Sequence, residues 1–316
     1  MKQSKTLFKI VAGCLLAVTA IFTFVGEVIF FLLSNRKGNV DFLWEGEESE
    51  HDKKIRKNRE KDLAWLKGQE LEEHSITSAD GLRLNATLLR AKKPSNKYVL
   101  AIHGYRATGH KEFDSISRFW RKQGVNVFMI DHRASGESEG KYITYGAKEA
   151  EDCLLWLDYM NRTFGKDITI ALHGCSMGSA TVMLLLGKKL PHNVVFAVSD
   201  CGYSSLKGQL YHNFDGNNMP KEVCYQLYRF FALLHAGFDA DKVTPQKSLK
   251  KCTIPVIFAH GKADDFVPFK MVYDNYASCP VSDKQLITVD GAGHVQAFQC
   301  SDELKNAIKD YINKYM

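Results

Sequence analysis

Six short apolar runs alternate with stretches of helical periodicity, and this alternation constrains the fold of the chain most strongly. Apolar runs of this length, bounded by turn residues, are typical of buried strands. Their alternation with helices predicts an α/β fold, with a mostly parallel central sheet and helices on both faces. The predicted strands cover residues 98–104, 125–131, 168–174, 194–200, 255–261 and 284–290. The predicted helices lie near residues 113–123, 145–163, 177–188, 269–278 and 301–315.

Two further segments complete the predicted domain. Residues 74–90 alternate apolar and polar side chains around the turn Asp80-Gly81, which predicts a β-hairpin. Residues 203–250 interrupt the strand–helix alternation, and we interpret them as a small helical cap insertion or as a further packed helix. The helical periodicity of residues 222–238 places one apolar set on a single face: Val223, Leu227, Phe230 or Phe231, and Leu234.

The N-terminal segment is almost wholly apolar from Ile10 to Leu33, with Glu27 as its one charge. As a helix it would span about 36 Å, enough to cross a hydrocarbon core of about 30 Å. A cleaved signal peptide is disfavoured because the run is long and no small-residue cleavage site ends it. Lipidation of Cys14 is disfavoured because the apolar residues follow this cysteine instead of preceding it. We therefore predict an uncleaved, single-pass membrane anchor through residues 10–33.

The charges that flank this apolar run bear on its orientation. Lys2, Lys5 and Lys9 favour a cytoplasmic N-terminus and an extracytoplasmic C-terminal domain, whereas Arg36 and Lys37 oppose it. We therefore expect the domain outside the cytoplasm.

Composition changes after the anchor and again near residue 73. We predict an anchor over residues 1–35, a charged and solvated juxtamembrane spacer over 36–72, and the α/β domain over 73–316. The net charge is +6, but the basic residues are spread along the chain beside acidic ones, so no nucleic-acid partner is expected. The eight cysteines show neither C-x-x-C pairs nor zinc spacing, and we expect no metal or cofactor.

The pattern G-x-S-x-G occurs twice, around Ser138 and around Ser176. The second copy ends a predicted strand and begins a predicted helix, which is the context of a nucleophile elbow. A turn this sharp needs glycine two residues before and two after the nucleophile, and Ser176 meets this requirement. Cys175 does not, because His173 and Met177 occupy those positions, so we expect it to be a packed side chain.

The first copy lacks the strand–turn–helix context. Glu137 and Glu139 flank Ser138, and their charges would oppose a developing alkoxide or oxyanion. We interpret residues 136–140 as a solvent-facing turn.

A nucleophilic serine needs a base, and the base needs an orienting acid. His294 lies in the glycine-rich loop after the last predicted strand, and Asp264 and Asp265 follow the preceding one. Their order after Ser176 is the one expected for this architecture. We predict His294 as base and favour Asp264 over Asp265 as acid, with Asp200 at another strand end as a weaker candidate.

The oxyanion of such a reaction needs backbone N–H donors. We predict the N–H of Met177, at the start of the helix, and that of Tyr105, in the loop after the first parallel strand. His103 and Gly104 shape that loop, and a role of His103 as a second base is disfavoured.

Five motifs in this order resemble those of the α/β-hydrolase superfamily: HGY (103–105), DHRASGESEG (131–140), GCSMG (174–178), HGKADDFVP (260–268) and GAGH (291–294). The chain is most similar to membrane-anchored bacterial hydrolases of the Bem46 and serine aminopeptidase-like groups. The resemblance implies an eight-stranded, mostly parallel sheet and supports Asp264 as the acid. It also implies that residues 136–140 belong to a structural loop, in which Ala134 replaces a usual glycine.

Together these features predict a serine hydrolase that cleaves an acyl ester or thioester through a Ser-Asp-His triad and an acyl-enzyme. The expected substrate is a small acyl compound, and the anchor and apolar insertion suggest a lipid-derived one. A serine peptidase is the alternative. A non-catalytic binding protein is least favoured because Ser176, Asp264 and His294 are all present.

Overall fold

The computed structural model describes residues 2–39 and 50–316. Its described part contains eight strands: β1 (Glu72–Thr77), β2 (Arg83–Leu89), β3 (Lys97–Ile102), β4 (Asn126–Ile130), β5 (Thr169–Cys175), β6 (Val194–Asp200), β7 (Val256–Gly261) and β8 (Lys284–Val289). The strands form one sheet in the order β1-β2-β4-β3-β5-β6-β7-β8. The six strands from β3 to β8 pair in parallel, and β1 and β2 form the antiparallel hairpin. The predicted fold class is confirmed.

The helices bracket this sheet. They are α1 (Lys2–Ser34), α2 (Glu50–Lys67), α3 (Gly109–Glu112), α4 (Asp114–Lys122), α5 (Glu149–Phe164), α6 (Met177–Leu186), α7 (Leu206–Gly216), α8 (Lys221–Phe231), α9 (Pro245–Leu249), α10 (Lys270–Ser278), α11 (Ala297–Cys300) and α12 (Asp302–Tyr315). A short π-helical turn (Ala232–Ala236) continues α8. The predicted helices correspond to α4, α5, α6, α10 and α12 within a few residues.

The sheet is buried on both faces, as the continuous apolar runs predict. Alternate residues of β3 illustrate this: Leu100 and Ile102 join the core on one face, and Val99 and Ala101 join the core on the other. The parallel register aligns Cys175 with Asp200 and Gly261 with Val289. The C-terminal ends of β5 to β8 therefore meet at one edge, where functional groups are expected.

The apolar N-terminal helix has two parts. Residues Leu7–Ser34 are long and apolar enough to cross a membrane. The side chains of residues 7–25 are exposed except at the half-buried Ala12, whereas Ile29, Phe30 and Leu33 are buried against the domain. The last turns of the predicted anchor thus belong to the folded domain, because they pack against α8.

The charged segment differs from the solvated spacer that its composition predicts. Residues 40–49 of this segment lie outside the described residues, but α2 packs against α4. Arg59 binds Asp114 at 3.0 Å, and Leu66 is fully buried. Charged side chains that look solvated in sequence therefore find partners on the domain surface.

The cap insertion contains α7, α8, the π-helical turn and α9. Its predicted apolar face is not the buried one, because Val223, Phe230 and Leu234 are exposed. The helix instead buries a face that carries Tyr225 and Tyr228. Their hydroxyl groups find partners on other segments, and this pairing removes the cost of burying them.

Candidate active site

Ser176 lies at the turn between β5 and α6 with φ 55° and ψ −120°. This strained conformation is the one a nucleophile elbow requires. A Cβ atom at Gly174 would collide with the carbonyl of Gly178, and one at Gly178 would collide with the carbonyl of Ile102. The close packing of strand and helix therefore explains both glycines. The N–H of Ser176 donates to the carbonyl of Asp200 at 2.8 Å, which ties the turn to β6.

The structure brings His294 and Asp264 to this serine. His294 Nε2 lies 2.8 Å from Ser176 Oγ, and His294 Nδ1 lies 2.8 Å from Asp264 Oδ2. Asp264 Oδ1 accepts from the N–H groups of Phe266 and Val267 at 3.0 and 2.9 Å. With Nδ1–H donating to Asp264, Nε2 is an acceptor for the serine proton. This arrangement can move a proton from the hydroxyl to the imidazole.

Asp264 is buried, whereas its neighbour Asp265 is exposed. Burial alone raises the pKa of Asp264, but the charge of His294 and hydrogen bonds from His260 and His294 hold it well below its usual range. His260 Nε2 lies 3.0 Å from Asp264 Oδ2 and is fully buried. Sequence reasoning assigned His260 no role, although its position four residues before Asp264 at a strand end was a usable signal.

Two further buried carboxylates act on His294. Burial lowers the pKa of His294, but Asp264, by charge and hydrogen bond, and the charges of Glu112 and Asp200 outweigh burial and raise it above its ordinary value. Burial raises the pKa of Asp200 to about 7. Both oxygens of this carboxyl group have no hydrogen-bond partner among the described residues. Asp200 therefore lies beside the base as a second ionisable group and does not bind its ring.

The two alternative nucleophiles, Cys175 and Ser138, do not contact His294. Cys175 is fully buried on the other face of the sheet, and burial raises the pKa of its thiol well above the ordinary value. Ser138 Oγ donates to the carbonyl of Asp131 and accepts from the N–H of Asn85 at 2.8 Å. The prediction of a solvent-facing turn is wrong for Ser138 itself, because these bonds hold its side chain inside the loop. Ala134 in the same loop has φ 59°, a conformation that favours the glycine it replaces.

The loop after β3 lies against the serine, as the oxyanion prediction requires. A Cβ atom at Gly104 would lie 3.1 Å from Ser176 Cβ. His103 uses both ring nitrogens to hold the loop: Nδ1 binds the carbonyl of Gly104 at 2.7 Å, and Nε2 accepts from the N–H of His132 at 2.9 Å. These bonds leave it no role as a base.

A small cavity of about 30 Å³ opens at Ser176. It is lined by Leu33, Tyr105, Tyr145, Ser176, Met177, Tyr203, Gln209, Asn213, Phe266 and Val267. This volume holds about two water molecules. The grooves of about 490 and 510 Å³ do not include Ser176 in their lining, and a groove of about 1000 Å³ is lined by His294 but not by Ser176.

The end of α1 forms one wall of this cavity, which sequence reasoning missed. The carbonyl of Leu33 accepts from the hydroxyls of Tyr105 and Tyr145, each at 2.7 Å. Arg106 donates to the carbonyls of Leu32 and Asn35 at 2.9 and 3.0 Å. The loop that carries the predicted oxyanion donor is therefore fastened to the anchor helix.

Among the described residues, one cluster has metal-ligating atoms close together: Cys201, Asp264 and His294, within 4.8 Å of one another. His294 and Asp264 already bind each other, and His294 binds Ser176. Their hydrogen bonds favour a proton relay over a metal site.

Known proteins resemble this chain in part of its sequence and in its fold. Residues 93–203 match the family model described as serine aminopeptidase, S33. The uncharacterized protein YqkD of Bacillus subtilis is 31% identical over 146 residues, covering 46% of this chain and 48% of that protein, about half its length. The esterase Pf2001 of Pyrococcus furiosus superposes with a TM-score of 0.63 at 22% identity, covering 81% of this chain and 94% of that one. The chain has the α/β-hydrolase fold.

The family model that matches residues 93–203 supports a hydrolase. The uncharacterized membrane protein YNL320W of Saccharomyces cerevisiae is 24% identical over 199 residues, covering 62% of this hydrolase and 64% of that protein. This similarity fits the Bem46-like group, and α1 is a candidate anchor.

The titration of His294 leads to a prediction for this hydrolase. If His294 is the general base, the free enzyme needs it in the neutral form, so kcat/KM should rise with pH. The midpoint should lie above the ordinary histidine pKa because the pKa of His294 is raised. Asp200→Asn should move this midpoint to lower pH, because it removes a negative charge that favours the imidazolium. A pH profile of kcat/KM for both proteins measures the shift. A midpoint that stays or rises in the variant would contradict the coupling.

Proposed function

We propose that this hydrolase cleaves an acyl ester or thioester through an acyl-enzyme on Ser176. The observation that carries the proposal is the pair of 2.8 Å hydrogen bonds linking Ser176 to His294 and His294 to Asp264, at a strained strand–helix turn. A serine, an imidazole and a buried carboxylate in this geometry form a nucleophile, its base and an orienting acid.

The reaction would proceed in two halves. Ser176 Oγ attacks the acyl carbonyl while His294 Nε2 takes its proton, and Asp264 stabilises the imidazolium. Backbone N–H groups of Met177 and Tyr105 stabilise the oxyanion. His294 then gives its proton to the leaving oxygen or sulfur, and the acyl-enzyme forms. A water molecule repeats the sequence, with His294 as its base, and releases the acid.

The lining of the cavity supports a neutral acyl substrate. It combines apolar and aromatic side chains with the amides of Gln209 and Asn213 and includes no carboxylate. A peptidase that recognises a free substrate amine needs such a carboxylate. The description of the matching family keeps a serine peptidase as the second candidate.

We also propose that α1 anchors the enzyme in a membrane as a single pass. Two observations support this anchor. The described part of α1 exposes many apolar side chains, and the chain is similar to a membrane protein. The N-terminal lysines favour an extracytoplasmic catalytic domain.

The proposal is tested with purified full-length chain in detergent. We expect a fluorophosphonate probe to label the wild type and not Ser176→Ala, and p-nitrophenyl acyl esters to be hydrolysed in preference to aminoacyl anilides. Ser138→Ala is the matched control and should affect stability alone, because its hydroxyl holds a loop. Equal labelling of wild type and Ser176→Ala would refute the nucleophile, and preferential anilide cleavage would favour the peptidase.

A further inference from the structure

The cap exposes an unusual apolar surface. Outside α1, the described large apolar side chains that are exposed are Val223 (44%), Phe230 (60%), Leu233 (57%), Leu234 (61%) and Tyr273 (49%). The first four lie on α8 and the π-helical turn after it, and we call them the cap patch. Soluble surfaces scatter such residues singly, so a cluster on one helical segment calls for a partner.

The cap patch lies beside the point where α1 leaves the domain. Gly26 of α1 approaches α8 so closely that a Cβ atom there would collide with the ring of Phe231. Glu27 of α1 pairs with His235 in the π-helical turn at 2.9 Å. The segment that carries the cap patch is therefore held against α1 at residues 26 and 27.

The exposed part of α1 is long enough to cross a bilayer. One surface of that bilayer would then lie at the level of the cap patch. Residues Leu7–Val25 precede the first packed residue, Gly26, and are exposed apart from the half-buried Ala12. Nineteen helical residues span about 28 Å, close to the hydrocarbon thickness of about 30 Å. A bilayer that holds this segment would end near Gly26, at the level of the cap patch.

We propose that the cap patch lies in the headgroup–acyl boundary of the bilayer that holds α1. An amphipathic helix at that depth buries its apolar face in lipid and keeps its other face on protein. Here that other face carries Tyr225, Tyr228 and Phe231, which are buried in the domain. Docking at two elements fixes the orientation of the domain on the membrane, which a single flexible tether would not do.

The docked orientation also indicates where the substrate comes from. This inference about substrate entry rests on the proposed function. Leu33, which lines the cavity at Ser176, lies seven residues after Gly26, about 10 Å along the helix axis. The nucleophile therefore lies close above the lipid headgroups, behind a cap that contacts them. The enzyme takes its acyl substrate from the bilayer, not from the aqueous phase.

The docking is tested with full-length chain in phosphatidylcholine vesicles whose acyl chains are brominated near the headgroup. We expect quenching of Phe230→Trp to exceed that of Asp310→Trp about twofold, over the shared background of the native tryptophans. Asp310 is exposed on α12, which packs on the opposite face of the sheet. Equal quenching at the two positions would overturn the docking, whether or not the protein is active.

A second measurement addresses substrate entry. Changing Phe230→Gln and Leu234→Gln together should lower hydrolysis of a vesicle-embedded long-chain ester about tenfold while leaving p-nitrophenyl acetate unchanged. The control Tyr273→Gln removes an exposed aromatic outside the cap patch and should affect neither. An equal fall with both esters would overturn the entry route.

Absence of turnover in every variant would refute the proposed function, while the quenching result still decides the docking. A detergent-stable dimer that the double variant loses would make the cap patch an interface between copies and overturn the proposal.

Discussion

Asp264→Asn should lower kcat by about 10⁴-fold, whereas Asp265→Asn should stay within about twofold of the wild type. The two aspartates are adjacent in sequence, but only Asp264 contacts His294. The physical reason is the orientation that the amide must adopt. Asp264 Oδ1 accepts from two backbone N–H groups, so the amide oxygen of an asparagine would occupy that position. Its NH₂ group would then face His294 Nδ1 and force the proton onto Nε2, which could no longer accept from Ser176.

Steady-state kinetics with the best ester substrate measures kcat for these two variants. Thermal melting checks that both variants are folded. The outcome that would contradict the assignment is a fully active Asp264→Asn. In that case Asp200, one of the two further buried carboxyls that act on His294, would be the acid, and Asp200→Asn in the same background should then abolish turnover.

The strand pattern made the fold predictable because local periodicity determines it. Every buried parallel strand reads as a short apolar run, and its helix follows within the next residues. The cap did not follow this rule. Its buried face carries tyrosines that look polar in sequence, and Tyr228 is satisfied by Ser34, 194 residues away. A partner that distant leaves no local signal, so the sequence pattern did not reveal which face of this helix is buried.

The contrast between local and long-range signals also applies to the site. Glycine spacing and strand ends pointed to Ser176, Asp264 and His294, and the structure brings these three together. Glu112 could not be found this way. It accepts from the N–H of Gly104 at 3.3 Å and lies 3.5 Å from Arg59 of α2, so its position depends on a segment that looked like a spacer. The packing of α1 and α2 on the domain is long-range information that periodicity does not contain.

Truncation at residue 36 should therefore inactivate the enzyme, although sequence composition predicts that the anchor ends at residue 35 and that the catalytic domain begins only at residue 73. A fragment of residues 36–316 lacks Ile29, Phe30 and Leu33, whose burial contributes about 1.5–3 kcal/mol each. It also lacks the carbonyl that accepts from Tyr105 and Tyr145. Each of these hydrogen bonds contributes about 0.5–1.5 kcal/mol more. Together these losses approach the stability of a typical domain, about 5–15 kcal/mol.

The matched control is a fragment of residues 26–316, which keeps every packed residue of α1 and removes the exposed apolar part. We expect this fragment to retain fluorophosphonate labelling and hydrolysis of p-nitrophenyl acetate, and the shorter one to lose both and to melt at a lower temperature. Equal melting temperatures and equal kcat/KM for the two fragments would contradict a structural role for the end of α1. The expected difference follows from Leu33, which lies at the end of α1 and lines the cavity at Ser176. Because the end of α1 also accepts hydrogen bonds from Tyr105 and Tyr145, we expect that a truncation at residue 36 changes the proposed active site.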